Sequence, residues 1–269
     1  MTEDDLPGAD ALRQLAGWNQ RPEDWRRMLG FEPDGCFVAV RDEVVVGTVT
    51  TITYGRALAW IGMMLVHPDH RRQGIGHRLM RQALEYLRSR GVPVVKLDAT
   101  PAGYPVYEKL GFVPEWSLTR WQQNSPMDPP DHGTETDETR ILSEPDWSTV
   151  NEIDAAAFGV PRFRLVSVLA QRSRSVRVWP GQGGVRGWGL LRIGANADYL
   201  GPIAATDPAA FLPLAAALLR RTGNPSVFWD IPDQNVAAVE AARRFGFGPV
   251  RPLTRMRLGP DNHSGNPLV

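Results

Sequence analysis

The spacing of apolar and polar positions divides the chain into two stretches of mixed helix and strand. In the first, residues 9–18 and 22–29 repeat apolar side chains at helical spacing. CFVAV (36–40), VVVGTVTTITY (44–54) and LAWIGMMLV (58–66) are apolar, β-branched runs that predict strands, and RDEV between the first two predicts a hairpin turn containing Glu43. From Gly74 the period changes. Ile75, Leu79, Ala83, Leu84 and Leu87 fall on one face, and Arg78, Arg81, Gln82, Glu85 and Arg88 on the other, which predicts an amphipathic helix ended by Gly91 and Pro93. VPVVKLDAT (92–100) reads as a buried strand, and residues 105–110 as a short helix ending at Gly111.

Residues 122–138, QQNSPMDPPDHGTETDE, are polar and proline-rich and read as a linker. The order then repeats. Helices are expected at about 145–157 and 161–172, strands at 175–180, 185–194 and 197–203, a helix at 208–221, a strand at 226–231 and a helix at 233–245. One repeat goes beyond pattern: GFVPEWSLTR (111–120) returns as GFGPVRPLTR (246–255), with Gly, Phe, Pro, Leu, Thr and Arg in common. LDATP (97–101) and WDIPD (229–233) also agree in part. Two copies make two similar domains rather than a solenoid. The expected division is a first domain at 1–121, the linker at 122–138, a second domain at 139–260 and a tail at 261–269.

Composition narrows the function without naming it. Lys+Arg and Asp+Glu are both 30 in 269 residues, so the balanced charge gives no general pull toward nucleic acid or membrane surfaces. Cys36 is the only cysteine, which excludes an intrachain disulfide and a cysteine-based zinc site, and no metal ligand set is expected. MTEDDLPGAD has no apolar core of a signal peptide, and no apolar run reaches membrane-spanning length. A cytoplasmic location is the expectation.

HRRQGIG (70–76) concentrates the chemistry. Glycines between a strand and a helix let backbone N–H groups approach a ligand, the helix start adds unpaired N–H groups and a positive dipole end, and arginines add charge. The stretch reads as an anion cradle. No G-x-x-x-x-G-K-[ST] string is present, and the third glycine of a dinucleotide fingerprint is replaced by Leu79. What remains is R-x-x-G-x-G, over Arg71, Arg72, Gln73, Gly74, Ile75 and Gly76. The second half has IAATDPAAFLP (203–213) in the corresponding place, without the arginines or the glycine pair, so the cradle occurs once.

VHPDHRRQGIGHRLM, followed by LDATPAGYPVYEKLGF, resembles the GCN5-related N-acetyltransferase superfamily over roughly residues 10–121. The resemblance implies two tandem α/β domains, the second degenerate, each with a mixed, mostly antiparallel sheet flanked by helices. It implies that the anion is the pyrophosphate of acetyl-CoA, held by backbone N–H groups from Arg72 through Gln73, Gly74, Ile75 and Gly76 to His77, with Arg71 or Arg72 adding charge. The strand ending Met64, Leu65, Val66 would splay from the strand at 94–100, pair with the pantetheine arm and offer an N–H to the thioester oxygen. Thr100 joins this binding set. Tyr107 matches the tyrosine that protonates the departing thiolate. The implied reaction is acetyl transfer to a primary amine of a small molecule by direct attack in a ternary complex.

Other candidates have plainer readings beside the chemical ones. Tyr104 is a rival to Tyr107 or a loop residue, and Asp98 is a base or a salt-link partner. His67 and His70 flank the loop and are expected in solvent or in structural contacts. Trp60, Trp179, Trp188 and Trp229 are expected in packing, and Arg162, Arg164, Arg172, Arg174 and Arg177 on a solvated basic face. The second copy is expected to shape an acceptor site at the domain junction or to stand in for a dimer partner, in a monomer or a homodimer. A non-catalytic acyl-CoA sensor or scaffold is the alternative at this stage.

Overall fold

A computed structural model describes residues 1–124, 138–181 and 183–269. Most of the expected linker lies outside the described residues, but its first part does not, because Gln122 and Gln123 belong to a strand. The described residues form two compact units. The first is Met1–Glu115 with Arg255–His263, and the second is Trp116–Thr254 with Ser264–Val269. The expected boundaries follow chain order, whereas each unit also draws on the far end of the chain.

The first unit opens with helices α1 (Leu6–Leu15) and α2 (Pro22–Phe31). Strands β1 (Phe37–Arg41), β2 (Val44–Tyr54) and β3 (Leu58–Val66) follow as an antiparallel meander. Asp42 and Glu43 both take positive φ, the hairpin geometry whose twist matches the flanking strands. Helix α3 (Ile75–Ser89) buries Ile75, Leu79, Met80, Ala83, Leu84 and Leu87 against the sheet, and Gly91 (φ +70°) lets the chain turn back into β4 (Val94–Ala99). Val95, Leu97 and Ala99 of β4 join that core, as does Phe112 beyond the short helix α4 (Tyr104–Glu108). The expected elements of this half are present, with ends shifted by a few residues.

Strand β5 (Val113–Gln123) leaves the first unit after Glu115. The second unit contains β6 (Arg140–Ile141), α5 (Trp147–Phe158), α6 (Phe163–Gln171), β7 (Ser175–Gly181), β8 (Gly184–Arg192), β9 (Asp198–Ala205), α7 (Phe211–Leu219), β10 (Val227–Pro232) and α8 (Val236–Arg244). Here β6 to β9 form an antiparallel run, β9 pairs in parallel with β10, and β10 pairs antiparallel with β5. Helices α7 and α8 cover one face through Phe211, Leu214, Leu218, Ala238 and Phe245, with Trp229 and Trp121 from the sheet. Trp188 is fully buried on the opposite face, under α5 and α6.

Strand β11 (Gly248–Leu258) completes an exchange: its residues from Arg255 onward lie beside β4 in the first unit. The repeated Leu-Thr-Arg motif fastens both sides. Arg120 of the first copy grips Asp230 of the second through Nε and Nη2, both at 2.7 Å. Arg255 of the second copy grips Asp98 of the first at 2.9 and 3.0 Å, and lies over the Trp60 ring. Asp98 is therefore a salt-link partner. Lys96, fully buried beneath this layer, donates to Glu115 and to the His263 carbonyl, so residues of the expected tail are built into the first unit.

Arg120→Gln and Arg255→Gln each leave a part-buried carboxylate without its bidentate partner, which costs about 1–3 kcal/mol. Because each pair is internal to its own unit, the two losses in urea unfolding are expected to add within about 0.5 kcal/mol. A coupling well above that contradicts this division of the ion pairs.

Candidate functional site

The site begins where two strands part. β3 and β4 pair over Leu58–Val94, Ala59–Val95 and Trp60–Lys96, and the ladder ends there. Ile61–Val66 continue beside β2 and have no strand partner on the other edge among the described residues. A bulge turns this stretch: Thr48 opposes Leu65 and Thr50 opposes Gly62, so Met63 and Met64 share the rung of Val49, and Met63 takes φ +49°. Thr48 and Thr50 donate their hydroxyls to the Met63 and Gly62 carbonyls at 2.8 and 3.1 Å, which pins the bulge from the β2 side. The expected splay of Met64, Leu65 and Val66 from β4 is present.

Beyond Val66, a short 3-10 turn at Pro68–His70 leads into the glycine-rich loop. Arg72 (φ +60°) and Gly74 (φ +77°) take left-handed conformations on either side of Gln73. Such alternation turns successive N–H groups toward one concavity. Hydrogen bonds tie off the N–H groups of His70, Arg71 and Arg78, whereas those from Arg72 to His77 have no acceptor among the described residues. Gly76 sits at the start of α3 against Met64: a Cβ there would come within 2.8 Å of the Met64 methyl. The loop and the unpaired strand edge are thus in direct contact, and Ile75, Met64, Val66, Tyr104 and Tyr107 all pack on one core.

The two loop arginines, either of which is expected to add charge, differ in their surroundings. Arg71 is tied back, its Nε donating to the Val66 carbonyl at 3.2 Å, while Arg72 is exposed. Gln73 is a brace, accepting from Arg41 Nη1 at 3.0 Å and donating to the Asp69 carbonyl at 3.2 Å. Arg41 closes β1, remote in sequence, and no local pattern marks it as part of this loop. Arg78 is exposed on the polar face of α3, as expected, and its Nη1 also reaches back to Gly74, 3.5 Å from where a Cβ would stand. His77 is exposed, and the rings of His67 and His70 lie 5.5 Å apart.

Across the opening, the Thr100 hydroxyl accepts the Gly103 N–H at 3.2 Å and so shapes the turn into α4. That turn carries Tyr107, which rests edge-on against Phe112. Burial pushes the Tyr107 phenol up to about 12, so it holds its proton throughout the neutral range. Cys36 is buried and its thiol is pushed up to about 11 by the same cause, which leaves almost no thiolate at neutral pH.

The second unit closes the equivalent place. Asp207 accepts the Ala209 N–H at 2.9 Å, so a carboxylate caps the short 3-10 turn at Pro208–Ala210 that leads into α7. The basic face expected from Arg162 to Arg177 holds for Arg164 and Arg172, which are exposed, and not for the rest: Arg162 pairs bidentately with buried Asp154, Arg174 pairs with Asp198, and Arg177 is itself buried. Their partners stand 8 and 24 residues away, out of view of a local charge count. No described helix is long and apolar enough to cross a membrane.

Comparison with known proteins matches both halves. Residues 9–112 match the acetyltransferase (GNAT) family model, and residues 150–266 match an acetyltransferase (GNAT) domain model. Bacillus subtilis YitH, an uncharacterized N-acetyltransferase, is 25% identical over 91% of this chain and 85% of its own length. The holothin acyltransferase of a Pseudoalteromonas species is 25% identical over 90% of this chain and 81% of its own. A crystal structure from Pyrococcus horikoshii, provisionally named an acetyltransferase, superposes with a TM-score of 0.81 at 27% identity, covering all of this chain and 90% of that one.

Gly74→Ala is expected to cost about 1–2 kcal/mol in urea unfolding, because an L side chain is strained at positive φ. Gly76→Ala is expected to cost less, under about 1 kcal/mol, since only the flexible end of Met64 must move. The reverse order contradicts this loop geometry.

Proposed function

Because the chain belongs to the GNAT acetyltransferase family, with one such domain in each half, we propose that its first unit binds acetyl-CoA and acetylates a primary amine of a small molecule. The observation that carries the reading is the run of N–H groups from Arg72 to His77 that have no acceptor among the described residues, in contact with the open edge of β3. The residues fit the group. Six backbone donors, a helix N-terminus and exposed guanidinium charge suit a diphosphate, and the absence of a side chain at Gly76 keeps the floor of the loop clear. The free edge of Ile61–Val66 suits an extended amide-bearing arm, which would add to it as a strand does. When bound, acetyl-CoA supplies an activated acetyl thioester.

The chain's own residues divide the remaining work. Arg41 and Gln73 hold the loop in the shape that turns its N–H groups inward. The bulge at Met63 and Met64 aims an N–H of β3 out of the ladder, where it can donate to an oxygen gaining negative charge. Tyr107 holds its proton at Oη in the neutral range and can give it to a departing sulfur. No covalent enzyme intermediate is needed, and buried Cys36 is unsuited to form one. A small acceptor is supported by the holothin acyltransferase and by relatives over 42% and 22% of this chain that are named mycothiol acetyltransferase and glucosamine 6-phosphate N-acetyltransferase.

Thiol release over a panel of amines tests this. Tyr107→Phe is expected to lower kcat by about 10²-fold or more while the acetyl-CoA dissociation constant stays within about twofold. A folded-state pKa above the ordinary 10 keeps the phenol protonated as pH rises, so kcat/KM is expected to show no Tyr107 limb up to about pH 10. An equal fall in cofactor affinity makes Tyr107 a binding residue, and no amine-stimulated turnover with any acceptor overturns the activity.

A further inference from the structure

Two guanidiniums from different elements come to adjacent residues of the glycine-rich loop, and a third arginine is the residue before them. Arg41, at the end of β1, reaches the loop from one side, its Nη1 3.0 Å from Gln73 Oε1. Arg78, in the first turn of α3, reaches back to Gly74, its Nη1 3.5 Å from where a Cβ would stand. Arg72 precedes Gln73 and takes φ +60°. All three are exposed. Arg71 does not join them, because its Nε is turned back onto the Val66 carbonyl.

The carboxylates of this region lie elsewhere. Asp42 is 4.0 Å from Arg41 Nε with its side chain 95% exposed, Asp69 is 3.9 Å from His67 Nδ1, and Glu85 is 3.9 Å from Arg81 Nη2. The stretch from Arg71 to Arg78 has no acidic residue. The side chains of Arg72 and Arg78 have no ion pair or hydrogen bond among the described residues.

A solvated arginine needs no partner, so exposure by itself assigns nothing. Placement does. The six N–H groups from Arg72 to His77 already suit a diphosphate, and guanidinium charge gathered at the rim of the same loop suits a further anion. Coenzyme A carries one, a phosphomonoester on its ribose, with about −1.5 to −2 charge at neutral pH and three acceptor oxygens. A guanidinium can meet such a group through two parallel N–H bonds.

We propose, resting on the reading of the first unit as a coenzyme A site, that Arg72 and Arg78, with Arg41 beside them, form a phosphomonoester subsite at the rim of the loop. It takes the ribose 3′-phosphate and selects coenzyme A over its 3′-dephospho form. Arg78 is its principal donor.

Calorimetric titration of the full chain with coenzyme A and with 3′-dephospho-coenzyme A, at constant ionic strength, tests this for wild type, Arg78→Gln and Arg78→Lys. Wild type is expected to bind coenzyme A about tenfold more tightly, or better. Arg78→Gln is expected to bring that ratio below about threefold by weakening coenzyme A alone, with the dephospho form held within about twofold of its wild-type affinity. Arg78→Lys is expected to keep part of the preference, since the charge remains and the planar fork does not. The ratio within one protein cancels any general effect of a variant on folding or on the loop. A wild-type ratio near one overturns the subsite and leaves the coenzyme A reading standing. A loss in Arg78→Gln that is equal for both ligands also overturns it, and puts Arg78 on the diphosphate instead. No binding of either ligand overturns the coenzyme A reading itself, and the subsite with it.

Discussion

The parting of β3 and β4 after three rungs is the constraint on which the rest of the first unit turns. A parallel pair that continued to Val66 would satisfy its own backbone and leave no edge to offer. Instead the bulge at Met63 and Met64 twists β3 away, and the Thr48 and Thr50 hydroxyls hold the carbonyls that the bulge displaces. The same departure brings Met64 beneath Gly76, so the unpaired edge and the unpaired N–H groups of the loop become one surface. Helix α3 then keeps the loop in place through the apolar stripe from Ile75 to Leu87.

A second constraint acts on the chain as a whole. Each copy of the repeated motif gives its closing Arg to the other copy's Asp, so Arg120 meets Asp230 and Arg255 meets Asp98. The second half is therefore more than a relic. Its last strand supplies Arg255 and Arg257 to the first unit, where Arg257 joins Lys96 around buried Glu115. The second copy lacks the glycine-rich loop and keeps this exchange. In place of the loop, Asp207 caps the 3-10 turn that leads into α7.

Much of this was legible in the sequence because periodicity reports burial directly. The strands at 44–54 and 58–66 have the expected ends, and the stripe of α3 is the one read from Ile75, Leu79, Ala83, Leu84 and Leu87. Gly74 was legible because the loop demands a left-handed residue there. The bulge was not: Met63 is a non-glycine residue at positive φ inside an apolar run, and nothing in that run marks it. The exchange was not legible either, since GFVPEWSLTR and GFGPVRPLTR announce likeness and not which partner each takes. Gln122 and Gln123 look like linker by composition, yet pair with Phe228 and Val227. Arg41 carries no local mark because its place at the loop is set by a tertiary contact, whereas Arg78 reaches Gly74 from four residues on, across one turn of α3.

The central claim is that the N–H groups of Arg72–His77 and the open edge of β3 form one binding surface for an acyl-CoA. Amide hydrogen exchange of the full chain, with and without coenzyme A, tests it most directly. The account predicts that peptides covering 62–66 and 72–77 slow together on adding the cofactor, while the start of α7 after Asp207 is unchanged. Slowing confined to other segments, or none at saturating coenzyme A, contradicts it.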